Sequence, residues 1–111
     1  MEHGADDRDN IDDLIFEWHP SKESANLKKH KVSFHEAKTV FGDKRHIVVP
    51  DRVHSYDEER SLAIGFSEKR RLLTMCFTER ESCIRIISAR LAETWERRIY
   101  EGSGWEEQTG N

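Results

Sequence analysis

Three β-rich apolar runs, separated by connections of only a few residues, occupy much of the second half of this sequence. They span residues 59–67, 71–78 and 83–90. Each run is rich in β-branched, aromatic and aliphatic residues, and polar turn residues lie between the runs. Strands joined by such short connections pair in an antiparallel arrangement, because parallel pairing needs a long crossover. The sequence therefore predicts an antiparallel meander with an apolar face that other elements must cover.

The segment before the meander predicts a strand and two helices. The run LIFEW over 14–18 predicts a short first strand, which Pro20 ends because proline cannot continue a ladder. Proline also suits the first turn of a helix, and the helix formers that follow predict a first helix over 21–30. A capping box, SFHE, begins at Ser33 and predicts a second helix over 34–41, in which Ser and Glu each satisfy a free N–H.

Two further elements complete the predicted fold. The run HIVV over 46–49 predicts another strand, and apolar residues at helical spacing predict a closing helix over 92–101. We therefore expect an α+β fold. It consists of an antiparallel sheet, made of the meander and one or two further strands, with two N-terminal helices and one C-terminal helix.

The charge of the chain is unevenly distributed. The net charge is -4 over 111 residues, but residues 1–13 hold six acids and one Arg, and residues 101–111 hold three more acids. The stretch 14–100 therefore carries +4, which fits either a polyanionic ligand or an ordinary solvated surface. We expect a disordered acidic tail over 1–13, a single domain over 14–101 and a flexible C-terminal tail over 102–111.

Several classes of protein are disfavoured by the sequence. No window approaches eighteen apolar residues and the N-terminus is acidic, so we expect neither a membrane span nor a secretion signal, and a cytoplasmic chain. Cys76 and Cys83 are expected to be free thiols. The six histidines form no H-x-H or H-x-x-x-H pair, so no metal site is expected, and no cofactor motif such as a glycine-rich phosphate loop is present.

Alternation along the strands predicts two different faces of the meander, if Cys76 lies opposite both Ala63 and Cys83. One face is apolar and forms the core: Leu62, Ile64, Phe66, Leu73, Met75, Phe77, Ile84 and Ile86. The other is small and polar: Glu59, Ser61, Ala63, Gly65, Thr74, Cys76, Thr78, Cys83 and Arg85. This second face suits either a groove without a helix layer or an ordinary solvent-facing side. Arg85, in the middle of its strand, needs an acid such as Glu59 or a bound anion.

Four residues on or near this polar face form a candidate set for cleaving a phosphodiester without a metal: His54, Glu59, Arg80 and Arg85. RNA cleavage needs a base for the 2′-hydroxyl, an acid for the leaving oxygen and cations for the charge on the phosphorane. A glutamate, a histidine and two arginines supply these types. The same residues are also common in structural ion pairs, so composition alone leaves both interpretations open.

The sequence resembles the BrnT family over nearly all of 14–101. The resemblance rests on FEWHPSKESANLKKHKVSFHEAKTVF (16–41), HSYDEER (54–60), IGFSEKRRLLTMCFTER (64–80) and IRIISARLAETWERRIYE (84–101). It implies a RelE-like fold, with helices packed on an antiparallel sheet, and the activity of a ribonuclease toxin in a type II toxin–antitoxin system. It also implies a BrnA antitoxin with a ribbon-helix-helix part, which neutralises the toxin and binds promoter DNA with it.

The resemblance carries a set of site residues to this sequence: His54, Glu58 and Glu59 in HSYDEER, Arg80 in TER, and Arg85 and Arg90 in IRIISAR. The alternation predicts that Arg90 lies on the core side, where it would anchor the last helix. Lys29 and His30 are candidates for RNA contact or for ending a helix, and Tyr100 is a minor candidate that also fits a core position.

The sequence departs from the family pattern where the family has an N-cap Asp or a glycine. His19 replaces the Asp, which is expected to cost the first helix a strong N-cap. Lys31 stands where Gly usually follows KH, and the turns at 68–70 and 79–82 lack the expected glycines. These departures leave the hairpin register open and remove no candidate catalytic residue.

Two other functions stay open beside the ribonuclease. One is a non-catalytic module of the same fold that holds an antitoxin and modulates DNA binding. The other is nucleic-acid binding without cleavage, which is disfavoured because no platform of stacked aromatics is expected on the polar face. Growth arrest on expression without the antitoxin separates the enzyme from the binding module.

Overall fold

Two helices follow the first strand before the chain enters the rest of the sheet. The computed structural model describes residues 13–54 and 58–109, with side chains as far as Gly102. Strand β1 (Phe16–Glu17) leads into α1 (Pro20–His30), α2 (Phe34–Lys38) and a 3-10 turn (Thr39–Gly42). The second predicted helix therefore ends as an α-helix at Lys38, and a 3-10 turn completes it.

The remaining elements follow the predicted order. They are β2 (Ile47–Pro50), a 3-10 turn (Arg52–His54), β3 (Ser61–Phe66), β4 (Leu72–Arg80), β5 (Cys83–Leu91) and α3 (Thr94–Thr109). Helix α3 begins two residues later than predicted and runs past residue 101 into the predicted C-terminal tail, whose flexibility stays a prediction. Residues 1–12 of the predicted acidic tail lie outside the described residues.

The sheet contains five strands in the order β1-β5-β4-β3-β2. The antiparallel meander β3-β4-β5 is confirmed, and β2 adds to it in antiparallel fashion. The prediction of a purely antiparallel sheet is wrong, because β1 pairs with β5 in parallel, with Phe16 opposite Ile84. The connection between β1 and β5 contains α1, α2 and strands β2 to β4, so it has the length that parallel pairing requires.

The predicted alignment of the meander is wrong by one residue in β3, and it is also wrong in β5, where Cys76 lies opposite Ser88 and Cys83 lies opposite Arg80. Ala63 lies opposite Met75, and Leu62 lies opposite Cys76. Because side chains alternate, this shift moves Ala63 and Gly65 to the core and moves Leu62, Ile64 and Phe66 to the other face.

A β-bulge corrects the predicted position of Arg90. Cys76 pairs with Ser88 but the next residue, Phe77, pairs with Ile86, so β5 contains one extra residue, Ile87. The bulge reverses the alternation of β5 beyond this point. Arg90, opposite Thr74, therefore lies on the same face as Arg85, opposite Thr78, and not on the core side as predicted.

Helices α1 and α2 cover the core face of the sheet. The buried cluster there consists of Val32, Phe34, Ala37, Val40, Ala63, Leu73, Met75, Phe77, Ile86 and Ala89. The buried Asn26 of α1 ties the helix to β5: its Nδ2 donates to the carbonyls of Val32 and Ala89, both at 2.9 Å, and its Oδ1 accepts from the Ala89 amide at 3.1 Å. This side chain holds the helix layer against the sheet.

The opposite face, called the second face below, is partly covered by α3. The Tyr100 ring packs edge-on against Phe66 at 5.5 Å between centroids, and Thr74 Oγ1 donates to Glu96 Oε1 at 2.7 Å. The sequence predicted a second face without a helix layer, and this is wrong for the end of the sheet that α3 covers. Of the large apolar residues of β3 on this face, Ile64 is fully buried, whereas Phe66, which packs on Tyr100, stays 40% exposed.

The departures from the family pattern have clear structural outcomes. The Nδ1 of His19 accepts from the Ser21 amide at 3.1 Å, so the histidine ring caps α1 in place of an aspartate. Lys31, Arg70 and Glu81 adopt left-handed backbone angles, with φ of 61°, 64° and 52°. These three residues therefore occupy positions at which glycine carries no steric cost.

Half of the predicted capping box is present at α2. Ser33 Oγ accepts from the Glu36 amide at 3.0 Å, as expected of an N-cap. The Glu36 carboxylate instead accepts hydrogen bonds from Ser67 Oγ at 2.7 Å and from the Arg71 guanidinium. Glu36 therefore links α2 to the β3–β4 turn.

Candidate active site on the second face

A pocket of about 180 Å³ opens on the second face beside the end covered by α3. Strands β3, β4 and β5 form its floor, and the turn that follows β2 forms one wall. Nine of the described residues line it, and they include one histidine, one carboxylate and two arginines. They are Asp51, His54, Arg60, Leu62, Thr74, Cys76, Ile87, Ser88 and Arg90. The site is therefore polar and rich in hydrogen-bond donors.

The 3-10 turn after β2 brings His54 against Asp51. Asp51 is anchored because its amide donates to the Arg60 carbonyl at 2.8 Å, which closes the base of the intervening loop. His54 Nδ1 lies 3.1 Å from Asp51 Oδ2. The His54 side chain is 59% exposed and the Asp51 side chain is 10% exposed. A carboxylate on Nδ1 orients the imidazole and leaves Nε2 as the ring nitrogen available to a substrate.

The Cys76 thiol lies beneath this pair. Its Sγ is 3.7 Å from Asp51 Oδ2, to which it donates a hydrogen bond. Burial, reinforced by the charge of Asp51, raises the pKa of Cys76 to about 11. At neutral pH Cys76 is therefore a neutral donor that helps to hold Asp51, and not a thiolate nucleophile. Both cysteines are free thiols, as predicted.

Arg90 forms the far wall of the pocket. Its Nη1 and Nη2 donate to the two carboxylate oxygens of Glu96 at 2.8 and 2.9 Å. Donating these hydrogen bonds to Glu96 raises the pKa of Arg90. Burial by itself raises the pKa of Glu96, but the bonds from Arg90, the Glu93 amide and Thr74 outweigh burial and the net shift is downward. Both groups are therefore charged across the neutral range.

The structure places Arg80 and Arg85 on the second face, beyond the pocket lining. Arg85 Nη1 donates to Glu17 Oε2 at 3.1 Å, so its acidic partner comes from β1 and is not Glu59, the example suggested by the sequence. Arg80 Nη2 donates to Glu58 Oε1 at 3.3 Å. Both arginines extend the charged surface along β4 and β5.

Glu59 is exposed and lies outside the pocket. Its carbonyl accepts from Thr78 Oγ1 at 2.8 Å, which fixes the backbone just before β3. Glu59 and Arg60 together line an adjoining depression, so Arg60 borders both cavities.

The other RNA-contact candidates lie elsewhere. Lys29 and His30 are in the last turn of α1, which packs on the core face. Tyr100 donates from its hydroxyl to Asp43 Oδ2 at 2.6 Å, and burial together with this bond raises the pKa of Tyr100 to about 12. Tyr100 thus secures α3 to the turn before β2. Residues 55–57 of the HSYDEER block lie outside the described residues.

The sequence prediction placed Thr74 and Cys76 on the polar face, where they line the pocket, but it missed Asp51, Arg60 and Ser88. Asp51 and His54 are three residues apart, a spacing that brings side chains together on one helical turn, and this was the available signal. The others depend on the strand register. Within the described residues no group of three or more His, Cys, Asp or Glu side chains is arranged to hold a metal ion. No helix in that part of the chain has the length and hydropathy of a membrane span.

A model of the family described as "Ribonuclease toxin, BrnT, of type II toxin-antitoxin system" matches residues 18–96. The chain belongs to the BrnT family. It is therefore assigned to the ribonuclease toxins of type II systems, and such a system implies an antitoxin partner. No curated protein matches the chain.

A solved BrnT structure has the same fold. The crystal structure of the Brucella abortus ribonuclease toxin BrnT matches with a TM-score of 0.57 and 21% sequence identity, covering 73% of this chain and 99% of the other. At this identity the likeness concerns the fold. The BrnT fold of this chain, with its mixed five-stranded sheet, is the scaffold that holds the pocket.

Proposed function

We propose that this BrnT-family chain is an endoribonuclease that cleaves RNA without a metal, with His54 as a general acid–base group oriented by Asp51. The observation that carries the proposal is the Asp51–His54 pair at a pocket that also contains Arg60 and Arg90. This arrangement combines a proton-transfer group with guanidinium donors, as a charged pentacoordinate phosphorane requires.

The reaction is an internal transfer of the phosphodiester. The 2′-hydroxyl oxygen loses its proton to a base and attacks the adjacent phosphorus, and the bond to the 5′-oxygen breaks. The products are a 2′,3′-cyclic phosphate and a 5′-hydroxyl, which takes up a proton from an acid. His54 performs one of these two proton transfers, and Arg60 and Arg90 bind the non-bridging oxygens. Glu59 stays a candidate for the other transfer because it borders Arg60 from the adjoining depression.

The proposed substrate is single-stranded RNA. A strand bound in the pocket continues along the second face, where Arg85 and Arg80 lie, and their guanidinium groups also suit phosphate oxygens. Glu17 and Glu58 already accept from these arginines, so the phosphates share the donors with these carboxylates. Unpaired strands fit a shallow groove because their bases can be splayed out of a helix.

The decisive test is cleavage of a fluorescent single-stranded RNA by the purified chain in EDTA, comparing wild type with His54→Gln and Asp51→Asn. General acid–base groups contribute roughly 10²–10⁴-fold, so we expect a loss of that order for His54→Gln. The matched control is His35→Gln, at an exposed histidine of α2, which should cleave like wild type. Glu59→Gln tests the second proton-transfer group.

Two results would contradict this proposal. A folded, antitoxin-free wild type that leaves the RNA intact in EDTA would favour the non-catalytic binding module. Full activity of His54→Gln would remove His54 from the mechanism. Growth arrest in cells that express wild type, absent with His54→Gln, is the expected parallel result.

We also propose that the antitoxin is BrnA-like, with a ribbon-helix-helix part, and that it neutralises the toxin in the cytoplasm. The assembled complex is then expected to bind its own promoter. The support is the family assignment, since a type II antitoxin is a protein that binds its toxin. Co-expression with a BrnA-like antitoxin should restore growth, and a promoter fragment should shift with the complex and not with the toxin alone.

A further inference from the structure

Glu96 is a fully enclosed acidic side chain beside the pocket. It lies in the first turn of α3 with 0% exposure and accepts four hydrogen bonds. The donors are Thr74 Oγ1 at 2.7 Å, the Glu93 amide at 2.8 Å, and Nη1 and Nη2 of Arg90 at 2.8 and 2.9 Å. Two of these donors, Thr74 and Glu93, hold the carboxylate plane in place, and the plane in turn holds the guanidinium.

We infer that Glu96 is a positioning residue for RNA cleavage, which fixes the Arg90 guanidinium at the pocket wall. This inference rests on the proposed function. Arg90 connects Glu96 to the pocket, because it is bound to Glu96 and it lines the pocket that contains His54. A two-point contact with a carboxylate restrains the rotation of a guanidinium as well as its position, which a single hydrogen bond does not do.

Arg90 keeps donors for a ligand while it is held. Within the described residues, the Arg90 guanidinium donates three hydrogen bonds. Two go to Glu96 and one goes to the Leu91 carbonyl at 3.2 Å. A guanidinium has five N–H donors. Because the Arg90–Glu96 pair is neutral, Arg90 acts through directed hydrogen bonds to the phosphorane more than through net charge. Such directed bonds lose their effect when the group is misplaced by about 1 Å.

Removing the charge of Glu96 should change kcat and KM in different ways. Glu96→Gln keeps the size of the side chain and an acceptor oxygen but removes the charge that neutralises Arg90. The freed cation attracts phosphate more strongly, so KM should stay the same or fall. The rotating guanidinium stabilises the transition state less well, so kcat should fall about tenfold.

The chain offers a matched control in Glu36. It is also buried, at 2% exposure, and its carboxylate binds one arginine, Arg71, and one hydroxyl, Ser67. This pair lies outside the pocket lining. Glu36→Gln should therefore lower stability as Glu96→Gln does, while leaving both kcat and KM unchanged in protein that is folded at the assay temperature.

The experiment is a double-mutant cycle for cleavage in EDTA with wild type, Glu96→Gln, Arg90→Gln and the double variant, each checked for folding by circular dichroism. If Glu96 acts through Arg90, the double variant is no slower than Arg90→Gln alone. Losses that multiply, or full activity of Glu96→Gln, would overturn the inference. A wild type that does not cleave would instead overturn the proposed function and this inference with it, and the two failures are therefore distinguishable.

Discussion

The hydrogen bonds of Asn26 lead to a quantitative prediction for the fold that carries the site. Asn26→Ala removes two donated bonds and one accepted bond, which link α1 to Val32 and to both backbone groups of Ala89. A buried hydrogen bond contributes about 1 kcal/mol net, so the variant should lose about 3 kcal/mol of unfolding free energy. For a domain of this size the melting temperature should fall by roughly 15 °C.

A second substitution at this position tests the role of the donors. Asn26→Asp keeps the volume and the acceptor for the Ala89 amide but replaces the Nδ2 donor with an oxygen that faces two carbonyls. We expect it to cost at least about 2 kcal/mol at neutral pH. Lys22→Ala, at an exposed position of the same helix, is the control and should stay within about 0.5 kcal/mol of wild type.

The assay is urea unfolding followed by tryptophan fluorescence and far-UV circular dichroism. The shift of the midpoint at constant slope gives the change in unfolding free energy. A loss below about 1 kcal/mol for Asn26→Ala would refute the argument, because it would mean that the three bonds are weak or readily replaced by water.

Three further predictions concern backbone strain, packing and acid stability. Arg70→Gly should stabilise the chain by up to about 1 kcal/mol, since Arg70 has a φ of 64°; an unchanged urea midpoint would count against strain there. Gly65→Ala should cost about 1–3 kcal/mol in the same assay, because a Cβ there would lie 2.9 Å from the His46 Cβ, whereas a neutral result would show that the turn can move. The hydrogen bond from Arg71 outweighs burial and lowers the pKa of Glu36 below its ordinary value of 4.5. The ionised Glu36 therefore stabilises the fold above pH 4.5, and this stabilisation is lost as the pH falls through the lowered pKa. Wild type should therefore lose more stability than Glu36→Gln between neutral pH and pH 3, and parallel curves would contradict this.

The local signals of the sequence determined the elements and their order. Alternation and short turns predicted β3, β4 and β5, Pro20 and Ser33 predicted the starts of α1 and α2, and the motif blocks predicted the family. Such signals act within a few residues, so they predict an element correctly wherever tertiary packing does not override the local preference. His54 was also predicted as a site residue from its motif, and it lies at the pocket.

Only the tertiary structure decided the strand register, and through it the composition of the pocket. The prediction placed the large residues Leu62 and Ile64 in the core, but they lie on the second face, and the small Gly65 lies where Val40 approaches the sheet. Side-chain size therefore gave the wrong faces for β3, because this strand is packed on both sides.

The bulge at Ile87 was equally beyond local reasoning, whereas Arg90 binds an acid at the start of the last helix, as predicted, but does so on the second face. One extra residue in β5 reverses which side chains share a face, and nothing in the alternating pattern marks its position. Asp51 and Glu96 become parts of the site only when the turn after β2 and the start of α3 come together over β4. The sequence thus determined which elements form, and the packing of helices on both faces decided which side chains meet, because burial depends on contacts between distant segments.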